Sequence, residues 1–82
     1  DEEIFASSVH WFIRNDVLEI HSSKIIRDLY IYDISGRLVR KAGHFEKDSR
    51  YLNLSNFQSG IYTGIVIFEQ ERPQAIKFFS SN

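Results

Sequence analysis

The sequence predicts an all-β sandwich of about seven antiparallel strands. Three observations carry that prediction. Apolar residues come in short runs that alternate with polar ones, and none keeps a helical period over any length. The runs are separated by Gly, Ser, Asn and Asp, which are turn formers. Aromatic residues reach 15% of the chain, with a single proline and no methionine, a composition suited to pleated, half-buried surfaces.

The elements follow in order. Asp1-Glu2-Glu3 is an acidic lead-in, and Ile4-Phe5-Ala6 reads as a linker or short edge strand. Val9 to Ile13 is strongly β-prone, with Val9, Trp11 and Ile13 on one face. Trp11 is expected in the core. Arg14-Asn15-Asp16 makes a turn into Val17 to His21, where Leu18 and Ile20 point inward. Ser22-Ser23-Lys24 reads as a second turn, with Ile25 and Ile26 closing one end of the core. Leu29 to Arg40 is a hairpin in one line: a strand with Leu29 and Ile31 on one side, turn chemistry at Asp33, Ser35 and Gly36, and a returning strand from Arg37. Phe45 to Arg50 is mostly charged and reads as a loop or short edge strand. Tyr51 to Leu54 is extended again. Ser55 to Gly60 is a polar connection anchored by Phe57, with a helical turn from Ser55 as an option. Ile61 to Phe68 is apolar on both faces, and Gly64 leaves room for a bulky neighbour. Gln74 to Phe79 closes a final hairpin, with Ile76 and Phe78 on one face.

At 82 residues the chain is one domain, and a small one, with modest burial. There is no cysteine, so no disulfide staples it; that leaves the compartment undecided. Ten Lys and Arg against 11 Asp and Glu give a net charge of -1. No global field draws nucleic acid or an anionic membrane. No apolar run approaches the roughly 20 residues of a membrane-spanning helix. The sequence begins at Asp1 with no visible signal peptide, and reads as the C-terminal module of a larger protein.

Chemistry-bearing motifs are sparse. His10, His21 and His44 are far apart in sequence, and a zinc site would need them with a carboxylate such as Glu19 or Asp16. The serines sit in turn contexts, none in a Gly-x-Ser-x-Gly elbow. Asp16 and Asp33 read as turn caps rather than an acid/base pair. Asp16, Asp33 and Asp48 make no dense calcium loop. No catalytic residue, metal or cofactor is expected.

Three segments say more. Asp16-Val17-Leu18-Glu19-Ile20, then Ile31-Tyr32-Asp33-Ile34-Ser35-Gly36-Arg37-Leu38-Val39, then Leu52 through Tyr62 occur in this order. Together they resemble the type A C-terminal sorting domain of the type IX (Por) secretion system of Bacteroidetes, over residues 9 to 79. The resemblance implies a compact Ig-like β-sandwich of about seven strands. It implies a non-catalytic address that takes an upstream cargo across the outer membrane through the type IX translocon. A sortase-like protease then removes it and commonly joins the cargo to anionic lipopolysaccharide. The expected location is the periplasm in transit, then the outer membrane, cell surface or medium.

Residue by residue, Asp33, Gly36 and Arg37 match the family's hairpin turn, Gly60 and Tyr62 its Gly-x-Tyr motif, and Lys77 a lysine of its terminal motif. The family's Asn-Pro before the position of Asp16 is replaced by Phe12-Ile13, and the tail lacks a further terminal lysine. The recognised surface is expected on the last hairpin, with Gly60, Tyr62, Lys77, Phe78 and Phe79, since an exposed strand edge templates a partner strand. The outer face of Ile61, Ile65 and Ile67 leaves a homodimer open. The principal alternative is a structural or adhesive sandwich module that binds carbohydrate or protein.

Overall fold

The computed structural model describes residues 9–81, with the backbone alone for 44–47. Five strands are present: β1 (Val9–Arg14), β2 (Val17–Tyr32), β3 (Leu38–Asn53), β4 (Gly60–Phe68) and β5 (Gln74–Ser80). The expected strand at Ile4-Phe5-Ala6 lies outside the described residues.

β2 is the spine. Its first half pairs antiparallel with β1 on one side, Trp11 opposite Ile20 and Ile13 opposite Leu18. Its second half pairs with β4 on that same side, Ile31 opposite Gly64. β3 follows the other side along both halves. β5 completes the order β1-β2-β4-β5. The five strands form one hydrogen-bonded sheet, in which the first half of the long β2–β3 ribbon carries β1 and its second half carries β4 and β5. Counted by pairing, five strands do the work of seven segments.

A bulge makes this possible. Ile26 and Asp28 are two residues apart, but their β4 partners, Phe68 and Ile67, are adjacent. The extra residue, Arg27, shifts the strand's parity. Inward positions change from Leu18, Ile20 and Ile26 to Leu29 and Ile31, all buried, so both halves present their apolar side to one core. Leu52, Leu54, Val66, Phe68, Ile76 and Phe78 fill the core from the other strands. Gly64 has a packing role: a Cβ there would lie 3.1 Å from Ile76 and 3.3 Å from Ile31.

Three sequence expectations are corrected. Ser22-Ser23-Lys24 is not a turn; β2 runs through it, although Ser23 and Lys24 have no register partner among the described strands. Of the two readings of residues 45–50, loop or short edge strand, the structure takes the strand but makes it part of the long β3, whose only partner strand among the described residues is β2. An edge strand tolerates charged side chains, and its backbone pairing leaves no mark in the hydrophobic pattern. Trp11 is not in the core. It faces the core side of the sheet opposite Ile20, but β1 is terminal and Trp11 remains 37% exposed.

Two turns set the geometry of the ends. Asn15 and Asp16 have φ of 54° and 61°, as a two-residue hairpin between Arg14 and Val17 requires, and both residue types tolerate that region. The Asp16 carbonyl accepts from the Leu54 amide at 2.7 Å, tying the β1–β2 tip to the end of β3.

Candidate functional site

The Asp33 turn is held together by one carboxylate. Asp33 Oδ1 accepts from the Ser35 amide at 3.0 Å, the Ser35 hydroxyl at 2.7 Å and the Arg37 amide at 3.0 Å. Asp33 Oδ2 lies 3.3 Å from Arg37 Nε. Two backbone bonds close the loop, Asp33 N–H to the Arg37 carbonyl and Gly36 N–H to the Asp33 carbonyl, each 2.9 Å. Gly36 takes φ of 88°, which a side chain would resist. These bonds, first that from the Ser35 hydroxyl and then that from the Arg37 amide, hold the Asp33 carboxyl below its ordinary value. The turn chemistry read at Asp33, Gly36 and Arg37 is thus one hydrogen-bonded unit. It leaves Ile34 at the tip, 82% exposed.

The second motif folds against the first. Asn53 Oδ1 accepts from the Ser55 amide at 2.8 Å, and the Phe57 amide donates to the Leu54 carbonyl at 2.9 Å. The connection is a tight turn set by Asn53, not a helix capped by Ser55. Phe57 is buried, as the anchoring role requires. Its ring meets Tyr62 edge-on at 5.1 Å, and Tyr62 stacks on Phe78 at 5.7 Å. The Tyr62 hydroxyl donates to the Gln58 carbonyl at 2.6 Å. In the Gly-x-Tyr motif, Tyr62 fixes the loop from below, while Gly60, at φ of 155°, supplies a backbone shape rather than a contact.

The two motifs meet at one end of the molecule and leave a cleft of about 350 Å³ between them. Asp33, Ile34, Arg37 and Arg40 form one wall, Asn56 to Ile61 the other. On the far side of the same turn lies a second cleft of about 420 Å³, bounded by Ile34, Ile61, Thr63 and Lys77.

The five positions expected to form the recognised surface divide. Tyr62 and Phe78 are buried, so their rings lie on the core side of the β4–β5 hairpin and not on its outer face. Lys77 and Phe79 are exposed on the outer face of β5, Phe79 opposite Ile61 and Lys77 opposite Thr63. Gly60 lines the first cleft and Lys77 the second. Sequence reasoning missed Ile34 and Arg40. An isoleucine inside a polar turn was the available signal for the first; nothing in the sequence marked the second.

The two histidines with described side chains, His10 and His21, do not gather a metal site. His10 and His21 are register partners on β1 and β2, and His21 Nε2 lies 3.5 Å from Glu19 Oε1. Among the described residues no three His, Cys, Asp or Glu side chains cluster. The His44 side chain lies outside the described atoms. Among the described residues no helix is long and apolar enough to cross a membrane.

The geometry is that of a β-sandwich whose distinctive features lie on its outside, at one end and one edge. A structure search supports the class. The chain matches a DUF3244 family protein with an immunoglobulin-like β-sandwich fold from Bacteroides vulgatus ATCC 8482. The TM-score is 0.77 at 12% identity, over 92% of this chain and 85% of that one. At that identity the likeness concerns the fold alone. No curated protein matches the chain. The family model for the secretion system C-terminal sorting domain matches residues 14–79, and the chain belongs to that family. It is therefore a type IX sorting signal, a module that directs export toward the cell surface or medium through interaction with the secretion machinery.

Proposed function

We propose that this domain is a non-catalytic address read on its outer surface by the type IX translocon, and that a sortase-like protease then cuts it from its cargo. The family match over residues 14–79 carries the reading. The Ig-like fold supports it, because a folded module with its features on the exterior can be recognised whatever cargo precedes it. The recognised surface is the outer side of the β4–β5 hairpin, with Lys77, Phe79 and the turn at Gly60. β5 ends the strand order, so its outer edge is open to a partner strand among the described residues.

Deleting the chain from Gln74 onward is a poor test, because it also removes Ile76 and Phe78 from the core. The cleaner experiment fuses the chain to a reporter in a type IX-competent cell and compares it with a Lys77→Glu, Phe79→Ser double variant. Both side chains are exposed, so the fold survives. The reporter is expected in the medium or at the surface with the native domain and retained with the variant. Retention of both overturns the address reading; equal export of both overturns the surface.

One observation favours the adhesive alternative. Phe12, His21 and Tyr51, on the adjacent strands β1, β2 and β3, stand in a row at β1's end of the sheet, successive rings 6.0 Å apart. Exposed rings of this kind stack on apolar faces of ligands such as sugars. Saturable glycan binding lost on Tyr51→Ala would support that reading.

A further inference from the structure

We infer that the cleft between the two motifs is a binding site for an acidic, extended peptide segment, whose carboxylate pairs with Arg40 and whose adjoining apolar side chain lies along Ile34 and Ile61. The inference rests on the address reading only for the partner's identity, a component of the export machinery; the site itself rests on geometry and charge.

Three observations carry it. The first is charge. Arg37 and Arg40 line the cleft, and Asp33 is the one carboxylate among its described lining residues. Both Asp33 oxygens are engaged within the turn. Its Oδ2 lies 3.3 Å from Arg37 Nε, so these two charges offset each other. One positive charge is left over.

The second is that the surplus charge is fixed in place. Arg40 Cζ lies 5.6 Å from the centre of the Phe57 ring, a cation–π arrangement that holds the guanidinium at the wall. Arg40 makes no ion pair among the described residues. A guanidinium oriented this way offers a planar fork of donors to a carboxylate.

The third is the shape and lining of the cleft. Its volume suits a short segment rather than a globular surface, and it joins a charged wall to exposed apolar groups at Ile34 and Ile61. Exposed apolar groups beside a fixed charge are the usual anatomy of a small recognition site. Both walls come from motif segments, so the cleft exists only where the two turns meet.

The test uses the 82-residue chain and two synthetic peptides, acetyl-Phe-Asp-amide and its neutral counterpart acetyl-Phe-Asn-amide, followed by amide chemical shifts. The aspartyl peptide is expected to move amides of residues 34–40 and 56–61, with affinity falling as salt rises. The asparaginyl peptide, or the Arg40→Gln variant with the aspartyl peptide, should bind about tenfold more weakly or worse. Arg40→Lys, which keeps the charge but loses the fork, should fall between. Arg40 is exposed, so these variants keep the fold, which the unchanged remainder of the spectrum checks. Equal binding of the two peptides, shifts confined to other surfaces, or no shifts overturns the inference. Export of the native fusion reports separately on the address reading, so the two can fail independently.

Discussion

β1 and β5 are both terminal strands, both rich in large apolar residues, and they meet opposite fates. On β5, alternation is obeyed: Ile76 and Phe78 are buried, and Lys77 and Phe79 are outside. On β1, only Val9 is buried, and Trp11, Phe12 and Ile13 are all more than a third exposed. The residues do not explain the difference; their neighbours do. Phe78 finds Tyr62 beside it and Phe57 beyond, a packed aromatic run. Trp11 faces the core side but has no such cover among the described residues. Alternation chooses a face, and the side chains packed beside it decide whether that face is dry.

The contrast can be broken or sharpened by substitution. Phe78→Ala should have the largest effect, a loss of about 3–5 kcal/mol in urea unfolding, enough to unfold most of a domain this small. A loss below about 1 kcal/mol would mean that the aromatic run is not holding β5. Gly64→Ala comes next. The added methyl would crowd Ile76 on β5 and Ile31 on β2, both packed in the core, and should cost about 1–2 kcal/mol. An increase in stability would show that β5 moves outward more easily than its packing suggests.

Trp11→Ala should cost less, about 1 kcal/mol, because the ring is partly wet already. A cost equal to that of Phe78→Ala would erase the distinction between the two edges. The smallest effect belongs to the Asp33 turn, which stands at β5's end of the molecule. The Asp33 carboxyl is lowered by the Ser35 hydroxyl and the Arg37 amide, so its stabilising contribution is present above the unfolded value, 3.8. It is lost as pH falls through the folded value. The midpoint of thermal unfolding should drop below that pH in the native chain. Asp33→Asn should lower it at neutral pH and remove that part of the acid dependence. Parallel acid profiles for the two chains would show that the carboxylate does not organise the turn.

Much of the fold was legible because it depends on local rules. Leu18 and Ile20, Leu29 and Ile31, Leu52 and Leu54, and Ile76 and Phe78 are inward as their two-residue periods require. Asp33 and Gly36 announce their turn by residue type alone. The continuous course of β3 was not legible, because charged residues on an edge strand look like a loop until a partner is seen beside them. The exposure of Trp11 was not legible either, since a face is not a burial. Of the candidate site, the two motif segments could be read and their meeting could not. Tyr62 and Phe78 belong to the motif segments but sit inside, and Arg40 matters only because the fold brings Phe57 beneath it.

The sequence by itself determined the β-class, the inward face of most strands, the turns at Asn15-Asp16 and Asp33 to Gly36, and the family, because each depends on spacing and residue type within a short stretch. The tertiary structure decided which strands β2 carries along each half, which edge is covered, and that two turns about 20 residues apart share one cleft. Those outcomes depend on a bulge at Arg27 and on contacts between distant segments, and no local pattern encodes a neighbour that the chain has yet to meet.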